Sequence, residues 1–98
     1  MLIRWTEPAI QDLTNICDYI GKRESRAVAR RAALAIYQGI GSLTKYPRRE
    51  RPGRKPDTRE LVFSGWPYLA VYRIREDVVE VLRILHGAQD WPESAASS

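Results

Sequence analysis

The residues that could do chemistry in this sequence are few in kind. Sixteen lysines and arginines stand beside a single histidine, His86, and a single cysteine, Cys17. A nucleophile-and-base enzyme needs Ser, Thr or Cys next to a base, and a two-carboxylate enzyme needs paired acids in a cleft; neither set stands out. His86 is the one neutral-pH proton carrier, and at the end of a predicted strand it can act as a general base or simply hydrogen-bond within a packed terminus. One cysteine excludes an internal disulfide and a Cys-based zinc site. The sequence has neither a GxxxxGK[ST] phosphate loop nor a GxGxxG turn after a strand, so no nucleotide, metal or other cofactor is expected.

The arginines point elsewhere. The formal net charge is +4, yet Lys45 to Arg59 alone carries seven basic residues against Glu50 and Asp57, a local +5 that leaves −1 for the rest. A positive patch this concentrated favours nucleic acid, a phosphate-rich surface or an acidic partner protein, with a merely solvated loop as the plain alternative. The candidate target-binding or nucleic-acid-binding residues are Arg48, Arg49, Arg51, Arg54, Lys55 and Arg59 in that segment, together with Arg73, Arg83 and Trp91. Arg59, Arg73, Arg75 and Arg83 fall on or beside predicted strands, where a rigid backbone can aim guanidinium forks at phosphate or carboxylate. Trp66, Tyr68, Tyr72 and Trp91 are near them in sequence; they suit either an interface or a small core.

The elements that must hold these residues follow from periodicity. Leu2, Ile3 and Trp5 form a short strand that stops at Thr6, an N-cap, with Glu7 and Pro8 in the first helical turn. Ala9, Leu13, Ile16 and Ile20 recur at helical spacing, with Gln11, Asp12, Asn15, Asp18 and Lys22 on other faces; Cys17 adjoins the stripe as a small core residue. Gly21 is placed at the helix end and Ser25 at the start of a second helix running to about Leu43, which makes an antiparallel αα-hairpin. Ala29, Ala32, Ala33, Ala35 and Gly39 permit close approach. Pro47, Pro52, Gly53 and Pro56 make Lys45 to Thr58 a loop. Three strands follow, over Glu60 to Phe63, Tyr68 to Arg75 and Val78 to Leu85, joined by turns at Ser64-Gly65 and Glu76-Asp77. Apolar residues in both alternating sets predict a sheet covered by helices on one face and charge-studded on the other.

The fold class is therefore α+β, in the order β-α-α-β-β-β, with the hairpin of helices on a small antiparallel sheet. Residues 1–91 are read as one domain and residues 92–98 as a short polar tail. No run approaches the ~20 apolar residues of a membrane helix, and the N-terminus lacks a signal-peptide core, so a cytoplasmic protein is expected.

The arrangement resembles the RelE/ParE superfamily of toxins, most closely the ParE branch. The residues that carry the likeness are Arg4-Trp5-Thr6-Glu7-Pro8-Ala9 with Asp12-Leu13, Tyr19-Ile20, the run Pro47 to Arg59, Arg59-Glu60-Leu61, Pro67-Tyr68 through Tyr72-Arg73, and Val81 to Trp91. The resemblance spans nearly the whole chain. It implies the toxin of a type II toxin–antitoxin pair of the plasmid-stabilising kind, held inactive by a ParD-like antitoxin in a hetero-oligomeric complex. An acidic antitoxin tail folding onto the basic loop would match it electrostatically.

The superfamily offers two modes of action. ParE-like members are similar to inhibitors that trap DNA gyrase on cleaved DNA without chemistry of their own. RelE-like members resemble ribosome-dependent ribonucleases, which must move a proton from the attacking 2′-hydroxyl, protonate a leaving oxygen and offset charge on phosphorus. By resemblance, Arg83 and His86 match part of the nuclease machinery, but the run after His86 supplies no tyrosine, and Gln89 stands where similar sequences frequently have arginine. The reading is accordingly a ParE-like toxin that poisons gyrase by binding, with the ribosomal messenger nuclease as the alternative.

Overall fold

The computed structural model describes residues 1–48 and 50–87. Arg49 and the run 88–98, which holds Gln89, Trp91 and the expected tail, lie outside the described residues. Strand β1 (Leu2–Trp5) leads into helices α1 (Glu7–Arg23) and α2 (Arg26–Gly41). A 3₁₀ turn at Ser42–Thr44 then precedes strands β2 (Arg51–Pro52), β3 (Arg59–Val62), β4 (Tyr68–Arg75) and β5 (Val78–His86).

Local chemistry accounts for most boundaries. Thr6 is the N-cap of α1, its hydroxyl accepting from the Ala9 amide at 3.3 Å, and Ser25 caps α2 by accepting from Val28 at 3.1 Å. Each such cap is worth about 1 kcal/mol. Gly21 does not end α1, as the sequence predicts, because the helix continues to Arg23. The Glu24 amide closes the last turn on the Ile20 carbonyl, while Lys22 and Arg23 suit the negative end of the helix dipole. In the turn between β4 and β5, Glu76 and Asp77 both take positive φ, 48° and 64°, the handedness that a tight hairpin prefers.

The sheet order is β1-β5-β4-β3-β2. All neighbouring pairs are antiparallel except β1 and β5, which run parallel, so the sheet is mixed where a purely antiparallel one was expected. The helical hairpin carries the chain from β1 to the far edge of the sheet, and the three antiparallel steps back from β2 bring β5 beside β1 in the same direction. The expected loop also contains β2, a two-residue edge strand whose Pro52 is tolerated because no described strand pairs beyond it.

The main core lies between the helices and one sheet face. Ala9, Leu13 and Ile20 from α1 and Ala29, Ala32, Ile36 and Ile40 from α2 meet Leu61, Phe63, Tyr68, Ala70, Tyr72, Val79, Val81 and Ile84. The smallest residues of α2 face the sheet as well as α1. A side chain added at Gly39 would stand 2.8 Å from the Phe63 ring. A bulge between Val71 and Tyr72 in the pairing leaves Leu82 unmatched, with Val81 opposite Tyr72 and Arg83 opposite Val71. The bulge shifts the inward set of β5 from Val79 and Val81 to Ile84. Leu69, Val71, Leu85 and Leu82 make a second, smaller cluster apart from the main core. That shift is why both alternating sets of this strand are apolar.

Candidate functional site: an arginine cleft framed by buried carboxylates

The basic segment is a tied structure. The Tyr72 hydroxyl donates to the Pro47 carbonyl at 2.7 Å, and Arg59 Nη1 donates to the carbonyls of Arg48 (2.8 Å) and Glu50 (2.9 Å). Tyr72 is fully buried, and burial is the main reason its phenol is pushed up to about 12, with the Glu50 charge adding and Arg59 opposing. Farther along, the Gly53 amide donates to the Thr58 carbonyl at 2.7 Å; a Cβ at Gly53 would collide with the Thr58 hydroxyl, so the closure requires glycine.

Three carboxylates that the sequence reading did not single out decide which arginines are available. Glu60, 4% exposed, accepts from Arg51 Nη2 at 3.1 Å and from the Arg54 amide at 3.2 Å, with Arg54 Nε 3.7 Å away. Glu80 sits in a cross-strand row between Arg4 on β1 (2.6 Å) and Arg73 on β4 (2.5 Å), and hydrogen bonds from those two guanidinium groups hold its carboxyl below the usual range. Asp12 grips Arg83 side-on, Oδ2 to Nε at 2.6 Å and Oδ1 to Nη2 at 2.9 Å, and also accepts from the Ile84 amide at 3.0 Å. These bonds to Asp12 raise the Arg83 pKa further. Asp12 therefore faces the sheet, contrary to its expected place on an outer face of α1. It lies three residues after Ala9 and four before Ile16, on the margin of the buried stripe. Together with the Thr6 hydroxyl, which donates to the Leu82 carbonyl at 2.9 Å, Asp12 satisfies β5 backbone groups beyond the end of β1.

Four arginines line one cleft. A cleft of about 440 Å³ is lined by Arg48, Asp57, Thr58, Arg59, Arg73 and Arg75, with Pro52 and Ile74. Arg48 comes from the basic segment, Arg59 from β3, and Arg73 and Arg75 from one face of β4. Arg48 and Arg75 are exposed and make no ion pair among the described residues. Asp57, at φ 62°, turns the chain at the rim.

Of the candidate residues, the structure thus brings together Arg48, Arg59 and Arg73, and adds Arg75. Arg51 and Arg54 are spent on Glu60, and Arg83 on Asp12. Lys55 is half-buried outside the cleft lining. His86 is exposed at the end of β5, its ring edge-on to Tyr68 with centroids 5.8 Å apart. Arg49 and Trp91 lie outside the described residues. Asp12 and Glu60 enter the sequence reading as a helix-face and a strand position and as part of the family likeness; the role of these two and of Glu80 as arginine partners was missed, the one available signal being a charge that falls on a half-buried strand or helix margin.

Residues 3–91 match the family described as ParE toxin of type II toxin-antitoxin system, parDE. A candidate toxin of Sinorhizobium fredii, Y4kP, is 44% identical over 91 residues, covering 93% of each chain. Toxin RelE2 of Caulobacter vibrioides is 40% identical over 85 residues, covering 87% of this chain and 93% of its own. Among solved structures, a chain of the chromosomal ParDE toxin–antitoxin system of P. aeruginosa superposes with a TM-score of 0.83 at 27% identity, over 88% of this chain and 95% of that one. No helix among the described residues is long and apolar enough to cross a membrane. With the resemblance read from sequence now matched in family, relatives and fold, the chain belongs to the ParE toxins of type II toxin–antitoxin systems, within the RelE/ParE superfamily.

Proposed function

We propose that this toxin works in the cytoplasm by binding, with DNA gyrase as its target, and that a cognate antitoxin neutralises it. The carrying observation is the fate of the two residues a nuclease would need. Arg83 has Nε and Nη2 of its guanidinium on Asp12, whereas His86 lies three residues on, paired with Tyr68 and edge-on to its ring. Their partners differ and their strand positions have opposite parity, so they do not make one acid–base pair. The arginine cleft supports the same reading. Its lining is cationic and, among the described residues, contains no imidazole, thiol, amine or phenol to carry a proton at neutral pH.

The antitoxin follows from the family and from the P. aeruginosa relative, which belongs to a ParDE toxin–antitoxin system. An acidic antitoxin segment would complement the local +5 of Lys45 to Arg59. The competing reading, a ribosome-dependent messenger nuclease, draws on the relative named RelE2 and on arginines that suit an RNA backbone equally well.

The test places the purified toxin with gyrase and plasmid DNA, and in parallel with translating ribosomes. Lost supercoiling or accumulating cleaved plasmid is the expected result. Codon-positioned cuts in messenger, with gyrase untouched, would transfer the assignment to the nuclease.

A further inference from the structure

Four arginines, Arg48, Arg59, Arg73 and Arg75, line the cleft, and two of them, Arg48 and Arg75, make no ion pair among the described residues. Arg48, Arg59, Arg73 and Arg75 face one acid in the lining, Asp57, although Arg73 also reaches Glu80. Like charges crowded on a folded surface are unfavourable unless something anionic occupies the space. The ligand's chemistry can be narrowed from the lining. Arginine forks match phosphate oxygens in bidentate fashion, which a lysine patch would not impose. Among the described residues the lining has no aromatic side chain, so none of them offers the anchor typical of a protein hot spot or a platform for stacking a base. What remains is recognition of a backbone. Arg73 and Arg75, two residues apart on β4, have Cα atoms about 7 Å apart, enough to reach separate phosphates.

We infer that the cleft is a site for the phosphodiester backbone of a nucleic acid, gripped without sequence preference by Arg48, Arg59, Arg73 and Arg75. The identification of that nucleic acid as the DNA held by gyrase rests on the function proposed above; the backbone chemistry itself does not. Arg59 has a second task, because its Nη1 already fixes the carbonyls of Arg48 and Glu50 and so sets the position of the Arg48 side chain. Arg48 and Arg75, with Arg73 through the guanidinium nitrogens beyond the Nε that Glu80 holds, are the direct cationic ligands.

The experiment titrates the full-length toxin, without gyrase, into labelled duplex DNA of about one helical turn, single-stranded RNA and an acidic peptide, at several salt concentrations. If about three phosphates are neutralised, duplex affinity should fall about 40-fold between 50 and 200 mM salt. Arg75→Gln removes one contact, and the same salt change should then cost only about 12-fold. Arg31→Gln, the same charge change at an exposed position of α2, should leave the salt response as it was. Both variants are checked for unchanged circular dichroism. Salt-independent binding, an equal loss in Arg31→Gln, or an acidic peptide that binds more tightly than either nucleic acid through Arg75, would each overturn the inference. Tighter binding of RNA than of duplex would uphold the backbone site while removing support from gyrase. Because gyrase is absent here, a failure leaves the supercoiling assay to judge that reading separately.

Discussion

Arg83 and Arg75 lie on neighbouring strands, carry the same group and have opposite circumstances. Arg83 is 17% exposed along its side chain and is held by a carboxylate that is itself 14% exposed, with the Ile84 amide on the same oxygen. Arg75 is exposed, has no ion pair among the described residues and shares a cleft with three further arginines and one acid. The first guanidinium joins α1 to β5 and is part of the fold. The second adds repulsion to the fold and is useful only when an anion arrives. The contrast shows that a basic residue in this chain cannot be assigned a role by its charge; its carboxylate neighbours assign it.

The largest effect should come from breaking the closed end. Asp12→Ala leaves the Arg83 charge mostly buried without a partner and the Ile84 amide without an acceptor, and truncating one side of such a pair costs about 3–5 kcal/mol. Urea denaturation should show that loss as a lower midpoint with an unchanged slope. A change within 0.5 kcal/mol would mean that the pair is ornamental and that Arg83 is as available as Arg75.

The order of elements was legible because it rests on local rules that survive folding: the Thr6 and Ser25 caps, the helical stripe of α1 and α2, and the alternation and turns of β3 to β5. The cleft was legible only as a surplus of arginine. Which arginines are free depends on Glu60, Glu80 and Asp12, and those pairings reach across as many as 71 or 76 residues in sequence. No local pattern encodes partners at that separation. The bulge at Leu82 had the same cause, since an extra residue in a ladder is visible only once both strands are paired. Gly21 failed for a simpler reason: a glycine is permitted at a helix end, and tolerated one turn before it at a cost of about 1 kcal/mol.

A smaller effect should sharpen the other side of the comparison, where the basic segment is tied to β4. The Tyr72 phenol donates to Pro47 only while protonated, and its folded value of about 12 stands above the roughly 10 of an unfolded tyrosine. The neutral form is therefore favoured by folding. Its contribution is complete below pH 10 and disappears as pH rises through 12. Tyr72→Phe should cost about 1 kcal/mol at neutral pH. It should also flatten the decline in stability from pH 10 to 12 relative to the parent. Parallel declines in the two proteins would show that the phenol is not what ties the basic segment to β4.

The smallest expected effect is the most discriminating. Arg48→Gln and Arg75→Gln should each change stability by less than about 0.5 kcal/mol, and any change should be towards greater stability, since each removes a cation from a crowd of four. The Arg48 carbonyl that Arg59 needs belongs to the backbone and survives the first substitution. The gain should be clearest at about 0.01 M salt, where charges are felt over ~30 Å, and should fade at about 0.15 M, where the range is ~8 Å. A loss of stability in either variant would place that arginine with Arg83, as part of the fold. A neutral or favourable change in stability, together with weakened binding, has a different meaning: the cleft retains its charges against the preference of the folded chain, and that is the physical mark of a surface kept for a ligand.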